Sequence, residues 1–269
     1  MTAPLLKVTD LRVTYRTGRR KVEAVRGVSF TVARGRCLGV VGESGSGKSS
    51  LARALLALEE NVSGCVEFDG QDVLKADRAE RQAFRRRAQM VFQDPAGSLN
   101  PRLKAGAALA EVLHVHRLAR TRAAAAAQAA QWLETVGLDP AYAARFPHEL
   151  SGGQRQRVNL ARALCAGAEF LVADEPVSAL DVSVQAQILN LLKSLQERRG
   201  ITWLLIGHDL AVMRHMADDV LVMRAGEVVE RGPAAEVLAR PAHPYTQELL
   251  AAAPNVGRAL ARRTGGRPV

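Results

Sequence analysis

Gly42-Glu43-Ser44-Gly45-Ser46-Gly47-Lys48-Ser49-Ser50 fits G-x-x-x-x-G-K-[ST], the P-loop pattern that cradles phosphate. Its flanks are those the pattern requires. Cys37-Leu38-Gly39-Val40-Val41 is a short apolar run and predicts a buried strand, and Leu51-Ala52-Arg53-Ala54-Leu55-Leu56 predicts the helix that follows. Glycines let the backbone take positive φ and approach an anion with no Cβ in the way. Successive N–H groups at a helix N-terminus then form a nest whose dipole favours negative charge. Lys48 is placed to reach β- and γ-phosphates, and Ser49 to offer a hydroxyl to Mg²⁺.

The chain has 269 residues, enough for two domains or one domain with a large insertion. Aromatic residues make up only 4%, so the core must be aliphatic. No run approaches the ~18 apolar residues of a membrane span, and Met1 to Lys7 lacks an apolar signal core, which predicts no export. Cys37, Cys65 and Cys165 are scattered and odd in number, with no metal-ligand spacing and no disulfide framework. The net charge of +10 is spread over Arg16, Arg19, Arg20 and Lys21, over Arg85-Arg86-Arg87, and over Arg258, Arg262, Arg263 and Arg267. With few aromatics beside them, these read as solvated faces or as groups lying near anionic lipid, and stacking platforms for nucleic acid are not evident.

Residues 5–13 and 22–32 predict two β segments joined by a polar connection from Arg16 to Lys21. Tyr15 ends the first, where packing or stacking on a purine base are both open to it. Gly64 to Gly70 predicts a short strand, 77–87 an exposed charged helix, and Gln89 to Phe92 a strand that delivers Gln93 into the loop Asp94-Pro95-Ala96-Gly97. From 98 to 148 the spacing is helical, without strand signals. Ser151 and Gln154 suit the N-cap and N3 positions of the next helix as a capping box. Phe170 to Ala173 predicts a strand ending in Asp174-Glu175, 183–199 a helix, and Thr202 to Ile206 a strand leading to His208. Val220 to Met223 and Glu227 to Val229 predict a hairpin, and the tail from 254 a basic, loosely ordered end.

Alternation of strands and helices predicts a mostly parallel sheet, whose ligands gather at the carboxyl ends of strands. The P-loop, Gln93, Asp174-Glu175 and His208 all follow predicted strands. Paired carboxylates there suit one group serving Mg²⁺ and one accepting a proton from an attacking water.

With these motifs in view, the chain resembles the nucleotide-binding subunit of an ATP-binding-cassette (ABC) transporter along nearly its whole length. Leu150-Ser151-Gly152-Gly153-Gln154 is similar to the family's signature sequence. The resemblance implies ATP and Mg²⁺ as cofactors and an ATPase activity. It implies adenine stacking by Tyr15, phosphate binding by Gly42 to Ser50, and a sensor of Mg²⁺ and of the membrane partner in Gln93. It further implies Mg²⁺ binding through Ser49, Gln93 and Asp174, a catalytic base in Glu175 and a switch histidine in His208. Ser178-Ala179-Leu180-Asp181 resembles the D-loop, and Ser151, Gly152, Gly153 and Gln154 would face ATP held by a partner ATPase.

The implied fold is an α/β P-loop architecture: a mostly parallel RecA-like core with an antiparallel β subdomain over 1–97 and 149–253, and a helical insertion over 98–148. The loop after Gln93 leads into that insertion, which is expected to receive a helix of a membrane subunit. Phe92-Gln93-Asp94-Pro95, Ser98-Leu99-Asn100-Pro101-Arg102 and His243-Pro244-Tyr245-Thr246 narrow the resemblance to the oligopeptide/dipeptide/nickel importer branch. That branch implies peptide or nickel-type cargo, a second ATPase subunit (a different chain or a second copy), two transmembrane permease subunits and, indirectly, an extracytoplasmic binding protein. It implies a peripheral place on the cytoplasmic face of the membrane, with no nucleic-acid partner. No cysteine follows Cys165, so the C-terminal cysteine cluster of some members has no counterpart. The rival reading, a soluble ABC ATPase acting on nucleic acid or ribosomes, rests on the basic charge alone.

Overall fold

The computed structural model describes residues 3–17, 20–95 and 97–252. Strands β1 (Leu6–Thr17) and β2 (Arg20–Val32) form a long antiparallel hairpin. After β3 (Cys37–Val41) come α1 (Lys48–Leu55), β4 (Val62–Phe68), β5 (Gln71–Asp72), α2 (Arg78–Arg87) and β6 (Ala88–Val91). Then α3 (Ala105–Val115) and α4 (Arg122–Thr135) are followed by single 3₁₀ turns at Pro140–Ala144 and Pro147–Glu149. The chain closes through α5 (Gly152–Cys165), β7 (Phe170–Asp174), α6 (Val182–Arg199), β8 (Thr202–Gly207), α7 (Leu210–Met216), β9 (Asp219–Arg224), β10 (Glu227–Pro233), α8 (Ala234–Val237) and α9 (Pro244–Ala252).

Two sheets result. One is four-stranded in the order β2-β1-β4-β5, and its pairings are antiparallel. The other is six-stranded in the order β10-β9-β3-β8-β7-β6, parallel except for β10 at its edge. The strand that feeds the P-loop thus lies inside the sheet, between β8 and β9. Every residue of β3 and β8 is buried, because both faces of a parallel sheet are covered.

The pleat sorts the side chains into two cores. Val40, Leu204, Ile206, Val172 and Leu221 face α1 and the antiparallel sheet. Val41, Trp203, Leu205, Leu171 and Val220 face α5, α6 and α7. Leu99, Leu109, Leu113 and Leu133 from the helical stretch share that second core, so α3 and α4 pack as a continuation of it.

One expectation is corrected. The polar stretch 16–21 is not simply a connection: the ladder continues through Arg16↔Lys21 and Thr17↔Arg20. A two-stranded arm needs only its backbone partners to extend, and Arg16 and Lys21 stay exposed on it. The basic run Arg85-Arg86-Arg87 is also less free than its charge suggests. Arg87 pairs with Glu169 and Asp69, and Arg86 donates to the Ala166 carbonyl at 3.2 Å. The expected place of Arg19, Ala96 and the basic tail from 254, with Arg258, Arg262, Arg263 and Arg267, lies outside the described residues. Among the described residues no helix is long and apolar enough to cross a membrane.

Candidate active site

The loop between β3 and α1 turns on its glycines. Gly42 and Gly47 hold φ of 155° and 104°, and a Cβ on either would meet a backbone oxygen, Met223 O or Ala24 O, at 2.2 Å. Only glycine satisfies both the angle and the space. Gly47 caps α1 with no side-chain hydrogen bond, which leaves the first amides of the helix facing outward. Gly45, at φ 81°, has open space where a Cβ would point.

A cleft of about 370 Å³ opens at this loop. Ser44, Gly45, Gly47, Lys48, Ser49 and Ser50 line one side, and Gln93, Asp174, Glu175 and His208 the other. The ends of β3, β6, β7 and β8 therefore bring the expected residues to one place. Gly42, Glu43 and Ser46 stand behind that lining and hold Lys48. Its Nζ donates to the Gly42 carbonyl at 2.8 Å, the Glu43 carbonyl at 2.7 Å and the Ser46 hydroxyl at 3.3 Å. Burial pushes the Lys48 pKa down, opposed by the nearby charges of Glu175, Asp174 and Glu43.

The two carboxylates differ in surroundings. Asp174 ends β7, and its pKa is raised, chiefly by burial and further by Glu175, against a Ser49 hydrogen bond and Lys48 that favour the charge. Glu175 sits at φ 45°, in the left-handed region that a glutamate rarely enters, and its amide is tied to the Ile206 carbonyl at 2.9 Å. That turn aims its side chain at two neighbours. Oε2 accepts Gln93 Nε2 at 3.0 Å, and Oε1 lies 3.0 Å from His208 Nδ1. An ionised carboxylate only accepts, so a hydrogen bond between the two requires Nδ1 to carry the hydrogen.

Tyr15 stands beside the cleft but not in its lining. Its hydroxyl bonds Glu59 Oε1 at 2.7 Å and Ser50 Oγ at 3.2 Å, which fixes the half-buried ring over the start of α1.

The stretch Ser151 to Gln154 lies away from that cleft. Ser151 caps α5 and Gln154 closes the expected capping box, with Ser151 N donating to Gln154 Oε1 at 2.9 Å and Gln154 N to Ser151 Oγ at 3.3 Å. A Cβ on Gly153 would meet Val184 Cγ1 at 2.4 Å, and one on Gly152 would meet Leu180 Cδ2 at 3.1 Å. The glycines thus let α5 close on the start of α6. Asp181 caps α6, accepting Val184 N at 2.9 Å and Ser183 Oγ at 2.7 Å, donors that hold its carboxyl low.

Sequence reasoning missed two things here. Ala24 lines the cleft from β2, but an alanine within a strand leaves no chemical signal. Inside α5, Gln156 Nε2 donates to the Pro176 carbonyl at 2.9 Å and Asn159 Nδ2 to the Pro95 carbonyl at 3.1 Å. One helix therefore holds the loop after Glu175 and the loop after Gln93. Polar residues among the apolar positions of that helix were the available sign.

Residues 25–178 match the family model described as ABC transporter, and 229–268 match the oligopeptide/dipeptide transporter, C-terminal region. The chain belongs to the ABC transporter family. It is 47% identical over 255 residues to the oligopeptide transport ATP-binding protein OppF of Bacillus subtilis, covering 94% of this chain and 84% of that one. It is 44% identical to the OppF of Streptococcus mutans, covering 96% and 84%. Among solved structures it is similar to the dimeric ABC cassette MJ0796 bound to ADP and Pi (TM-score 0.76, 30% identity, 85% of this chain and 98% of that one). It is also similar to cbiO1 of Clostridium perfringens, part of the ABC transporter complex cbiONQ (TM-score 0.78, 26% identity, 97% and 96%).

As an ABC ATPase the chain uses ATP and Mg²⁺, and the site fits both. A glycine loop with outward amides and a buried ammonium suits a polyphosphate. Ser49, Gln93 and Asp174 offer oxygen donors, the hard ligands Mg²⁺ takes in small number beside phosphate and water. No cluster of three or more His, Cys, Asp or Glu that could hold a metal ion occurs among the described residues.

Proposed function

We propose that this chain is the ATP-hydrolysing subunit that energises peptide import through a membrane ABC transporter. The observation that carries the reading is the clamp on Glu175, set by Gln93 and His208 across the cleft from Lys48. The second match, over 229–268, and the peptide-import names of the relatives favour peptide over nickel-type cargo. The rival reading, nucleic acid or ribosomes, draws no support from these relatives.

The geometry supports the following residue roles. Lys48 and the amides of Gly45 to Ser50 would bind the phosphates of ATP, and Tyr15 would stack on its base. Ser49 and Asp174, with Gln93 beside them, would hold Mg²⁺, which when bound offsets phosphate charge. Glu175 would accept the proton of the water that attacks the γ-phosphate, while Gln93 and His208 keep its oxygens in place. The start of α5, where Ser151 is exposed, would present the amides of Ser151 to Gln154 and its positive dipole end to ATP held by a partner ATPase, with Asp181 at the adjoining cap.

That partner would be a second ATPase, a different chain or a second copy. Two permease subunits would complete the membrane assembly, with an extracytoplasmic binding protein acting through them and this chain peripheral on the cytoplasmic face. We further propose the division into 1–97 with 149–253 as the nucleotide-binding part and 98–148 as the helical part. The permease would dock beside the Gln93 loop, where Phe92 and Leu58 stay exposed at 42% and 49% on either side of a groove that Met90 and Arg85 also line.

The test is reconstitution of the chain with its permeases, its partner ATPase and the binding protein in vesicles. ATP-dependent uptake of labelled oligopeptide, lost with Lys48→Ala, is the expected result. Uptake of nickel without peptide, or ATPase activity stimulated only by nucleic acid, would overturn it.

A further inference from the structure

His243-Pro244-Tyr245-Thr246 opens α9 at a place remote in sequence from the P-loop, yet the structure joins the two. Glu230 of β10 accepts the amides of Ala242 and His243 at 2.8 and 3.1 Å. The His243 ring in turn accepts the Tyr245 amide through Nδ1 at 3.1 Å. These bonds seat the Tyr245 ring, 2% exposed, with the Arg224 guanidinium 4.8 Å from its centroid. The Tyr245 hydroxyl then accepts the N–H of Glu43 at 3.0 Å.

The identity of that N–H matters. It is one end of the Gly42–Glu43 peptide unit, and the other end, the Gly42 carbonyl, accepts Lys48 Nζ at 2.8 Å. The two ends of a trans peptide point in opposite directions. Tyr245 therefore grips the unit from behind while Lys48 grips it from the cleft. A bond at the N–H polarises the amide and makes its oxygen a better acceptor for the ammonium. Gly42, free of a Cβ, offers little resistance of its own to rotation of this peptide. The anchor has to come from elsewhere, and Tyr245 supplies it.

We infer that Tyr245 is a positioning residue for ATP binding, whose hydroxyl fixes the Gly42–Glu43 peptide so that Lys48 is presented to the phosphates. The inference rests on the nucleotide reading of the cleft. Tyr245 does not line the cleft; it acts through Lys48. It also gives the C-terminal segment a direct hold on the nucleotide loop.

The test uses the complete chain on a Glu175→Gln background, where hydrolysis does not consume the ligand. Affinity for Mg·ATP is measured by calorimetry, and thermal stability is recorded beside it. Tyr245→Phe keeps the ring, its burial and its contact with Arg224, and removes only the hydroxyl. It is expected to weaken Mg·ATP binding by about fivefold, the scale of one partly buried hydrogen bond. Thr246→Val, which removes the neighbouring buried hydroxyl, is expected to leave that affinity unchanged. Parental affinity in Tyr245→Phe would overturn the positioning role. So would an equal loss in both variants that tracks their thermal stability, since that would make the effect one of packing. Absence of Mg·ATP binding in the chain with Tyr245 intact would overturn the nucleotide reading itself, and this inference with it.

Discussion

Glu175 Oε1 lies 3.0 Å from His208 Nδ1, and the two residues reach each other from the ends of neighbouring strands, β7 and β8. Direction and restraint thus come from different elements: the left-handed backbone turn aims the carboxylate, and the histidine holds it there. Glu175→Gln keeps the shape and removes the basicity. Hydrolysis is expected to fall roughly 10²-fold or more with ATP binding retained. Single-turnover hydrolysis, with the partner's site inactivated, measures it, and a parental rate would make this subunit a regulatory nucleotide binder. His208→Ala is expected to slow hydrolysis as well.

The buried ammonium of Lys48 is held by two loop carbonyls, so its removal costs twice. Lys48→Ala removes the cation meant for the phosphates and leaves the Gly42 and Glu43 oxygens without their donor. Turnover in the assembled transporter is expected to drop by roughly 10²–10³, the usual scale for losing a preorganised charge. Near-normal ATPase activity there would refute the assignment.

Asp174 allows a pH prediction with a definite sign. Burial raises its pKa in the folded chain, so the native state holds the proton more tightly than the unfolded one. Stability therefore falls as pH rises from the ordinary aspartate value, about 4, through the raised folded value. Asp174→Asn has no charge to bury. Measured by thermal melts in EDTA, it is expected to melt about 2 °C above the parent at neutral pH and to lose that margin near pH 4. The same variant should need more Mg²⁺ for hydrolysis. A margin independent of pH would show that Asp174 does not titrate as described.

The start of α5 gives a packing prediction. Gly153→Ala puts a methyl 2.4 Å from Val184 Cγ1, on a β-branched side chain with little freedom in a helix. Overpacking of this kind costs about 1–3 kcal/mol. ATP binding at the chain's own P-loop is expected to persist while turnover with the partner is lost, and Gly152→Asp should behave alike. Loss of binding at the own P-loop would contradict an action on the partner's nucleotide.

Docking of the permease can be mapped by cross-linking. Arg102 is exposed while Leu99 is 3% exposed, so a cysteine at 102 can report and one at 99 should stay silent. Cys37 and Cys165 are buried, and only Cys65 need be replaced first. Links from Arg102→Cys to the permease are expected, and links to the partner ATPase alone would overturn the docking face.

The site was legible to the extent that function needs particular side chains. Lys48, Asp174, Glu175 and His208 could be read because each follows a strand signal and few other residues do their work. Ala24 could not, since an alanine within a strand carries no chemical signal. Gln156 and Asn159 offered as a sign only their polarity among apolar helix positions, because their partners are main-chain oxygens distant in sequence. Tyr245 stood out by motif, but nothing in the sequence says that its hydroxyl meets Glu43. In the fold, apolar runs marked β3, β7 and β8 well. The hairpin arm at 16–21 escaped because a ladder of backbone bonds tolerates polar residues that read as a turn.

The bonds from α5 to the carbonyls of Pro95 and Pro176 carry one more consequence. A rigid bar fastened at both loops cannot tilt at one without loading the other. If engagement of the permease at the Gln93 side shifts the equilibrium of the Glu175 side by some factor, the state of Glu175 must shift permease affinity by that same factor. Any such coupling along this helix would be reciprocal: the equilibrium at the Glu175 side would be felt at the docking face through the same two amide side chains.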